Sequence, residues 1–379
     1  THGNAFFVNQ FLYSLYEEKL LSFDFEQEQW LWDISQIKAK DITDNVVEFM
    51  ANKINKLPES TRKILTLAAC IGNQFDLTTL ATISKSPHQE TALALQSCLI
   101  EGLVVPLSNM YQLIALLTEG ISQEANETYK FIHDRVQQAA YSLIGSEDKQ
   151  KYHLQIGRLL LASTKNKGRE ELLFDIVEHL HLGLSLVEIQ TEYIQIAHLS
   201  LQAGLRAKMS SAYESALKYL KIGLGCLSGN TWEEQYDLTL MLYVEAIECA
   251  YIIGDFELMD DWSKLVLNQA KNLLDKIKVY EVKITSLMTQ YRLEEAVKTG
   301  LEVIELLGFV LPLNPTLESL QQALGESFQQ LEGKTAFDLL ELPNITEPTM
   351  LATISQLLNI NLPAYFFRPL LYPVLVAKE

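Results

Sequence analysis

The chain has 379 residues, 48% of them hydrophobic, so it can bury sizeable cores and is not a disordered segment. Its 48 acidic and 30 basic residues give a formal net charge of −18, which argues against general affinity for nucleic-acid backbones or anionic lipid and favours a partner with a basic surface. Four separated cysteines (Cys70, Cys98, Cys226 and Cys249) lie in apolar helical stretches, as buried thiols of a reducing cytoplasm do.

The beginning of the chain predicts a helix followed by a small hairpin. Residues 1–22 place apolar side chains on one helical face, with Asn4 as the capping residue. Residues 23–34, FDFEQEQWLWDI, alternate apolar and polar positions around a polar centre, which is the pattern of two short strands. The chain starts Thr-His-Gly without a leader, so we expect it to be a piece of a larger protein.

The next hundred or so residues predict a winged-helix domain over 46–145. Helical patterns and strand-like segments alternate there in a fixed order. The helices are expected at 41–54, 60–70, 77–83 and 87–99, the strands at 103–107, 110–116 and 129–132, and a last helix follows.

A winged helix raises the alternative of a transcription regulator that binds DNA. Its recognition helix would be SPHQETALALQSCLIEGL (86–103), which has no Lys or Arg and carries Glu90 and Glu101. Residues 41–145 contain eleven acidic and seven basic side chains. A helix that lies among phosphates needs the opposite charge, so we predict a protein-interaction element and no nucleic-acid partner.

After residue 145 the pattern is helical and repeats. Three segments align with one another: AYESALKYLKIGL (212–224), DFELMDDWSKLVL (255–267) and RLEEAVKTGLEVI (292–304). Tyr213, Phe256 and Leu293 then occupy one position, at a spacing of about 40 residues. Residues 146–379 are therefore predicted to form a tetratricopeptide-like α-solenoid that binds protein partners, with no membrane segment.

The pair His133-Asp134 in YKFIHDRVQQAAYSLI (129–144) raises a third hypothesis, a metal hydrolase, because adjacent His and Asp residues bind metal in one class of phosphohydrolase. Further ligands at compatible spacings are missing, and His179 and His181 point to different faces of a helix. A structural role is favoured, in which Asp134 caps the helix that follows.

Three of these stretches together resemble STAND signal-transduction ATPases of the AAA-like kind: THGNAFFVNQFLYSLYEEKLL, LPESTRKILTLAACIGNQFDLTTLA and YKFIHDRVQQAAYSLI. The chain looks most like the large bacterial, especially cyanobacterial, proteins that join a serine/threonine kinase domain, an ATPase, helical repeats, sensor domains and a histidine kinase. The resemblance implies that residues 1–45 are the last helical part of the ATPase module, ahead of the winged helix and the repeats.

The resemblance also implies where function resides. The family's nucleotide-sensing Gly-x-Pro turn would fall on Gly3, Asn4 and Ala5, with alanine in place of proline. ATP and magnesium are expected in the parent protein and no cofactor in this chain. Gly333-Lys334-Thr335 has Phe328 where a phosphate-binding loop needs its first glycine. We therefore expect that the chain is not an enzyme.

The helix that contains His133 is expected to form an interdomain junction. Apolar residues from Phe131 to Leu143 recur at helical spacing, so one face would be buried between the winged helix and the first repeat helices. His133, Asp134 and Arg135 would then be cap and hinge contacts. The predicted function is a cytoplasmic regulatory segment that couples a nucleotide-dependent switch to partner sensing by the repeats.

The end of the chain is apolar. Residues 350–360 and 362–377 would each present large side chains without a polar capping face. We expect this segment to fray after about residue 345 or to self-associate.

Overall fold

The computed structural model describes residues 5–39, 46–107, 128–163, 170–335, 338 and 343–378. These residues are mainly α-helical, which confirms the predicted fold class. The chain packs as two compact units, Thr1–Val187 and Glu188–Glu379. The expected domain boundaries at residues 45 and 145 both fall within the first unit, and the division into three domains stays a prediction.

The first unit contains helices and five short strands among its described residues. In chain order they are α1 (Ala5–Glu17), β1 (Leu21–Asp24), β2 (Gln29–Trp32), α2 (Ile34–Ala39), α3 (Val46–Asn55), α4 (Glu59–Ile71), β3 (Gln74–Asp76), α5 (Leu77–Ser84), α6 (His88–Ile100), β4 (Val104–Pro106), β5 (Thr128–Phe131), α7 (Asp134–Ser142), α8 (Ser146–Ser163) and α9 (Leu173–Leu182).

The second unit is helical throughout its described residues. Its helices are α10 (Gln190–Met209), α11 (Tyr213–Cys226), α12 (Thr231–Glu234), α13 (Tyr236–Ile253), α14 (Phe256–Gln269), α15 (Ile277–Thr289), α16 (Leu293–Leu306), α17 (Leu317–Leu331), α18 (Pro348–Phe367) and α19 (Leu371–Lys378).

The predicted N-terminal hairpin is present. β1 and β2 pair antiparallel, with Leu21 opposite Trp32 and Phe23 opposite Trp30. Asp24 shapes the turn, because its Oδ1 accepts the backbone N–H groups of the two residues at 26 and 27, at 2.8 and 3.1 Å. An aspartate favours such a turn because its carboxylate accepts backbone N–H groups that have no carbonyl partner within the turn.

The segment expected to be a winged helix contains a small antiparallel sheet in the order β3-β5-β4. β3 is absent from the sequence prediction, since three residues are too short to show alternation. Asp76 ends β3 and caps α5, accepting the backbone N–H of Thr79 at 2.8 Å. The strand expected at 110–116 lies outside the described residues. The winged-helix domain over 46–145 stays a prediction.

One apolar core joins these helices to α7 and α8. It includes Met50 of α3, Leu65 of α4, Leu80 of α5 and Val136 of α7, all fully buried. Ile156 of α8 belongs to the same core, so the helix expected to begin the repeats packs with the preceding segment.

All four cysteines are buried and free, as predicted. Burial raises the pKa of the Cys70 and Cys98 thiols to about 12. It raises the pKa of Cys226 and Cys249 to about 11. They are protonated apolar side chains at neutral pH rather than nucleophiles.

The repeat predicted from the sequence is also visible in the backbone conformation of the second unit. The three aligned segments form α11, α14 and α16, each the second helix of an antiparallel pair. The turn before each of them has a left-handed residue at the same aligned position: Ser211 at φ 59°, Gly254 at φ 85° and Tyr291 at φ 60°. A repeated tight turn therefore accompanies the repeated amphipathic pattern.

The two C-terminal helices each bury one face. Ile360 and Ala364 of α18 and Leu371 of α19 are fully buried in a core shared with α15 and α16. The expected fraying after residue 345 therefore does not match a structure in which both segments are packed helices. The opposite face of α18 exposes Leu362 and Phe366, and self-association through it stays a prediction. Among the described residues, no helix is long and apolar enough to cross a membrane.

Candidate functional site

His133 connects the N-terminal helix to α7. It has extended backbone at φ −155° and ψ 145° and is the N-cap of α7, its Nδ1 accepting the backbone N–H of Arg135 at 3.1 Å. Its ring stacks on Phe6 of α1, with centroids 4.5 Å apart and planes 19° from parallel. The sequence predicts Asp134 as the cap, and this is wrong: Asp134 is the first helical residue and His133 occupies the cap position.

The other predicted junction residues have different surroundings. Phe131 lies in β5 with 2% of its surface exposed, and its ring is 5.7 Å from that of Phe75. Asp134 and Arg135 are exposed on the first turn of α7, where Arg135 Nη1 donates to Gln138 Oε1 at 2.9 Å. Phe131 thus packs in the core. Of these predicted residues, His133 is the one whose ring contacts α1.

The partner of His133 is α1 rather than a repeat helix. Phe6 belongs to the segment predicted as residues 1–45, so the contact joins the first two expected domains. Of the expected nucleotide-sensing turn, Gly3 and Asn4 lie outside the described residues, and Ala5 is the first residue of α1. The link to α8 is made at the other end of α7.

That link is a chain of three side chains, two buried histidines and a partly buried tyrosine, which the sequence pattern does not reveal. The hydroxyl of Tyr141 on α7 lies 2.9 Å from His153 Nε2 on α8. His153 Nδ1 lies 2.8 Å from Nδ1 of His179 on α9. His179 in turn is hydrogen-bonded to the backbone of Ile71, at the end of α4.

One protonation pattern satisfies every atom of this chain. His179 donates an N–H to the carbonyl of Ile71, so its Nδ1 accepts from His153 Nδ1–H, and His153 Nε2 accepts the Tyr141 hydroxyl proton. Burial, with a smaller contribution from His179, lowers the pKa of His153 to about 4. Burial also lowers the pKa of His179. Both rings are therefore neutral at pH 7, as the pattern requires.

The second unit carries a row of ion pairs across successive helix pairs. Lys208 Nζ on α10 lies 2.6 Å from Glu245 Oε2 and 2.8 Å from Glu248 Oε2 on α13. Lys278 on α15 lies 3.7 Å from Glu248 Oε2. Burial opposes the charge of Lys208, but its hydrogen bonds to the two glutamates raise its pKa overall.

The row continues to α18. Glu281 of α15 lies 3.6 Å from Lys278 and accepts the Ser355 hydroxyl at 2.5 Å. The first helices of three consecutive pairs and α18 are thus tied by partly buried polar contacts. Such contacts are more sensitive to helix displacement than the solvated pair Lys264–Asp261 on α14, whose side chains are 71% and 67% exposed.

Among the described residues, no group of three or more His, Cys, Asp or Glu side chains is placed to hold a metal ion. His133 Nδ1 accepts a backbone N–H, and its ring face is covered by Phe6. At His133 the described contacts are therefore a helix cap and a ring stack.

Two curated relatives align with most of the chain. It is 27% identical over 378 residues to hybrid signal transduction histidine kinase G of Dictyostelium discoideum, in an alignment that covers 88% of this chain and 11% of that protein. It is 23% identical over 319 residues to the peroxide stress-activated histidine kinase mak3 of Schizosaccharomyces pombe, covering 82% and 13%. The chain thus spans only a small part of each relative. No protein-family model matches it.

A solved structure also matches, at low similarity. It is a STAND protein with a tetratricopeptide repeat sensor from Pyrococcus horikoshii, 13% identical, covering 89% of this chain and 49% of that one with a TM-score of 0.26. At that TM-score the likeness carries no argument.

These relatives correct one expectation from the sequence. The expectation that the chain is not an enzyme is wrong, because the relatives that align with most of it are histidine kinases, which are enzymes. Both relatives come from eukaryotes, so a bacterial origin stays a prediction, as does the serine/threonine kinase domain.

Proposed function

We propose that the chain is a regulatory, partner-sensing segment of a signal-transduction histidine kinase. The observation that carries this proposal is the alignment with histidine kinase G, which extends over 88% of the chain. Since the chain covers 11% of that protein, the phosphoryl-transfer activity of the whole protein is part of the proposal.

The second unit supports the partner-sensing role. In helical-repeat proteins each helix pair contacts only its neighbours, so a partner that displaces one pair must act through the next. The row from Lys208 to Glu281 ties such neighbours together. A protein bound to this helical array would alter those contacts and thereby change the state of the kinase.

The first unit supports a switch. The resemblance to STAND ATPases suggests that α1 follows a nucleotide-binding module, with ATP and magnesium as its ligands and Gly3, Asn4 and Ala5 nearest to them. The stacking of Phe6 on His133 would then transmit a movement of α1 to α7. From there Tyr141 and His153 connect α7 to α8.

Transcription regulation is not favoured by the surface of α6. This helix contains no Lys or Arg, and it exposes Leu93 by 56% and Ile100 by 77%. Apolar side chains exposed on a helix without positive charge favour contact with protein over contact with phosphates.

The proposal is tested on the full-length protein that carries this chain, purified and incubated with γ-labelled ATP. We expect acid-labile, base-stable phosphate, the signature of phosphohistidine. Lys208→Met should change the rate of autophosphorylation at least roughly threefold, since a coupling of under 1 kcal/mol already has that effect. Lys264→Met, which alters the solvated pair on α14, is the matched control and should leave the rate unchanged. Absence of acid-labile phosphate would refute the proposal.

A further inference from the structure

An aromatic groove lies on the first elements of the chain. Its volume is about 860 Å³, within the range of roughly 300 to 1,000 Å³ found for binding cavities. Helix α1 forms one wall, and the hairpin β1–β2 and α2 form the other. The principal lining residues are Leu12, Tyr13, Tyr16, Leu21, Trp30 and Trp32.

The hairpin accounts for the apolar wall. Directly paired residues of an antiparallel hairpin share a face, so Leu21 with Trp32 and Phe23 with Trp30 form one continuous apolar face. α1 covers this face only in part. Trp30 meets Tyr16 edge-on at 6.1 Å, yet Trp30 remains 48% exposed and Trp32 58% exposed. Large aromatic side chains in that state mark a surface that a partner can cover.

The surroundings of the groove are acidic. Residues 5–39 contain six acidic and two basic side chains, and the whole chain has a net charge of −18. Of these acidic side chains, Glu26 and Glu28 are exposed in the hairpin turn and Asp33 is exposed directly after β2. Backbone hydrogen bonds from residues 35 and 36 hold the pKa of Asp33 below its usual value, so it stays charged at neutral pH.

The aromatic rings of the groove also accept cations. Lys53 Nζ of α3 lies 5.0 Å from the centroid of the Tyr13 ring, with Glu101 at 4.0 Å. A lysine or arginine of a partner can approach the exposed rings of Tyr16 and Trp32 in the same way.

We propose that this groove binds a basic amphipathic helix of a protein partner. Apolar residues at i, i+3, i+4 and i+7 of that helix enter between α1 and the hairpin, and its lysines and arginines are attracted by the acidic excess of residues 5–39. A second copy of this chain is disfavoured as the occupant because two such acidic surfaces repel each other. The proposal rests on residues 5–39 and does not depend on kinase activity.

The test uses the 379-residue chain and a synthetic amphipathic helix made of leucine and lysine. Binding is followed by tryptophan fluorescence, which shifts to shorter wavelength as Trp30 and Trp32 are covered. A peptide with the same leucines and glutamate in place of lysine is the charge control. We expect the lysine peptide to bind and the glutamate peptide not to bind, with weaker binding as salt rises.

Variants separate the groove from general charge attraction. Trp32→Ala and Tyr16→Ala should each weaken binding at least roughly tenfold, as loss of a central aromatic anchor does. Tyr291→Ala, which removes an 89% exposed ring in the second unit, should leave it unchanged. Helical circular dichroism and the thermal transition establish that each variant folds, and hydrogen exchange of α1 and the hairpin with and without peptide gives a second measurement on the unaltered chain.

Several outcomes would overturn the proposal. Equal binding by Trp32→Ala and Tyr291→Ala would place the peptide elsewhere, and equal binding of the two peptides would remove the role of charge. Protection confined to the hairpin amides would indicate an added strand rather than a helix. A concentration-dependent dimer that the peptide dissociates would make a second copy the occupant.

Discussion

His153 and His179 face each other with their Nδ1 atoms 2.8 Å apart inside the first unit, and only one of the two atoms can carry the proton they share. The flanking contacts with Tyr141 and Ile71 decide which one. A proton added to either ring places two N–H groups against each other or forces Tyr141 to change partners. The helices α7, α8 and α9 are therefore held together by a contact that requires neutral histidines.

The first prediction is a loss of stability in mild acid. The pKa of His153 is about 4 in the folded chain against about 6.5 when unfolded, so the unfolded state binds the proton first as pH falls. The free energy of unfolding should be highest above pH 6.5, decrease by up to about 3 kcal/mol between pH 6.5 and 4, and then level off. The lowered pKa of His179 acts in the same direction.

Urea unfolding of the first unit at several pH values between 8 and 4 would measure this loss. His153→Gln is the control, because glutamine keeps a polar side chain that does not titrate. The variant is expected to be less stable at pH 8 and to depend less on pH. An identical pH dependence for wild type and variant would show that other groups control it.

The second prediction concerns the cap of α7. His133→Ala removes both the acceptor for the Arg135 N–H and the ring stacked on Phe6. We expect the free energy of unfolding to fall by roughly 1 to 3 kcal/mol, the sum of a lost cap and a lost ring contact.

Two further variants separate these contributions. His133→Asn restores a capping side chain and should recover about 1 kcal/mol. Phe6→Leu removes the stacking and should leave the cap unchanged. If His133→Asn is no more stable than His133→Ala in thermal unfolding, the capping assignment fails.

Local patterns predict most of the helices and few of the contacts. The aligned segments of the repeat begin within a residue of α11, α14 and α16, because a helix and its turn are determined by neighbours in sequence. The contact of Phe6 with His133 joins residues far apart in the chain, and no periodicity predicts it. The sequence nevertheless marks His133 as unusual, since it stands between a strand and an amphipathic helix.

The histidine pair shows the same limit. Helical spacing correctly sets His179 and His181 on different faces, but the partner of His179 is His153 on another helix. Packing between helices depends on crossing geometry, which residue spacing within one helix does not determine. The aromatic groove likewise needs the hairpin register, which brings Trp30 and Trp32 to one face opposite α1.

The third prediction tests the contact between α16 and α18 at Gly300. A Cβ added at Gly300 of α16 would lie 2.0 Å from Ile360 Cγ2 of α18. Gly300→Ala should therefore lower the free energy of unfolding by roughly 1 to 3 kcal/mol, the usual cost of overpacking a core.

Gly225 of α11 supplies the matched control, because nothing lies within 4 Å of an added Cβ there. Gly225→Ala should stabilise by up to about 1 kcal/mol through helix propensity. Combining Gly300→Ala with Ile360→Ala should cost less than the two single changes together, since the smaller side chain removes the clash. Strict additivity in urea unfolding would contradict the contact.

The last prediction concerns the repeated left-handed turn. Gly254 adopts this conformation without cost, whereas Ser211 and Tyr291 occupy the equivalent positions with a Cβ that crowds the backbone. Tyr291 is 89% exposed, so its ring offers little packing to offset the strain. Tyr291→Gly should raise the free energy of unfolding of the second unit by roughly 0.5 to 1 kcal/mol, and Gly254→Ala should lower it by about 1 kcal/mol.

Tyr291→Ala keeps the strained Cβ while removing the ring, so it should not reproduce the gain. If Tyr291→Gly and Tyr291→Ala change stability equally in urea unfolding, the ring rather than the backbone conformation determines the effect, and the equivalence of the three turns loses its energetic basis.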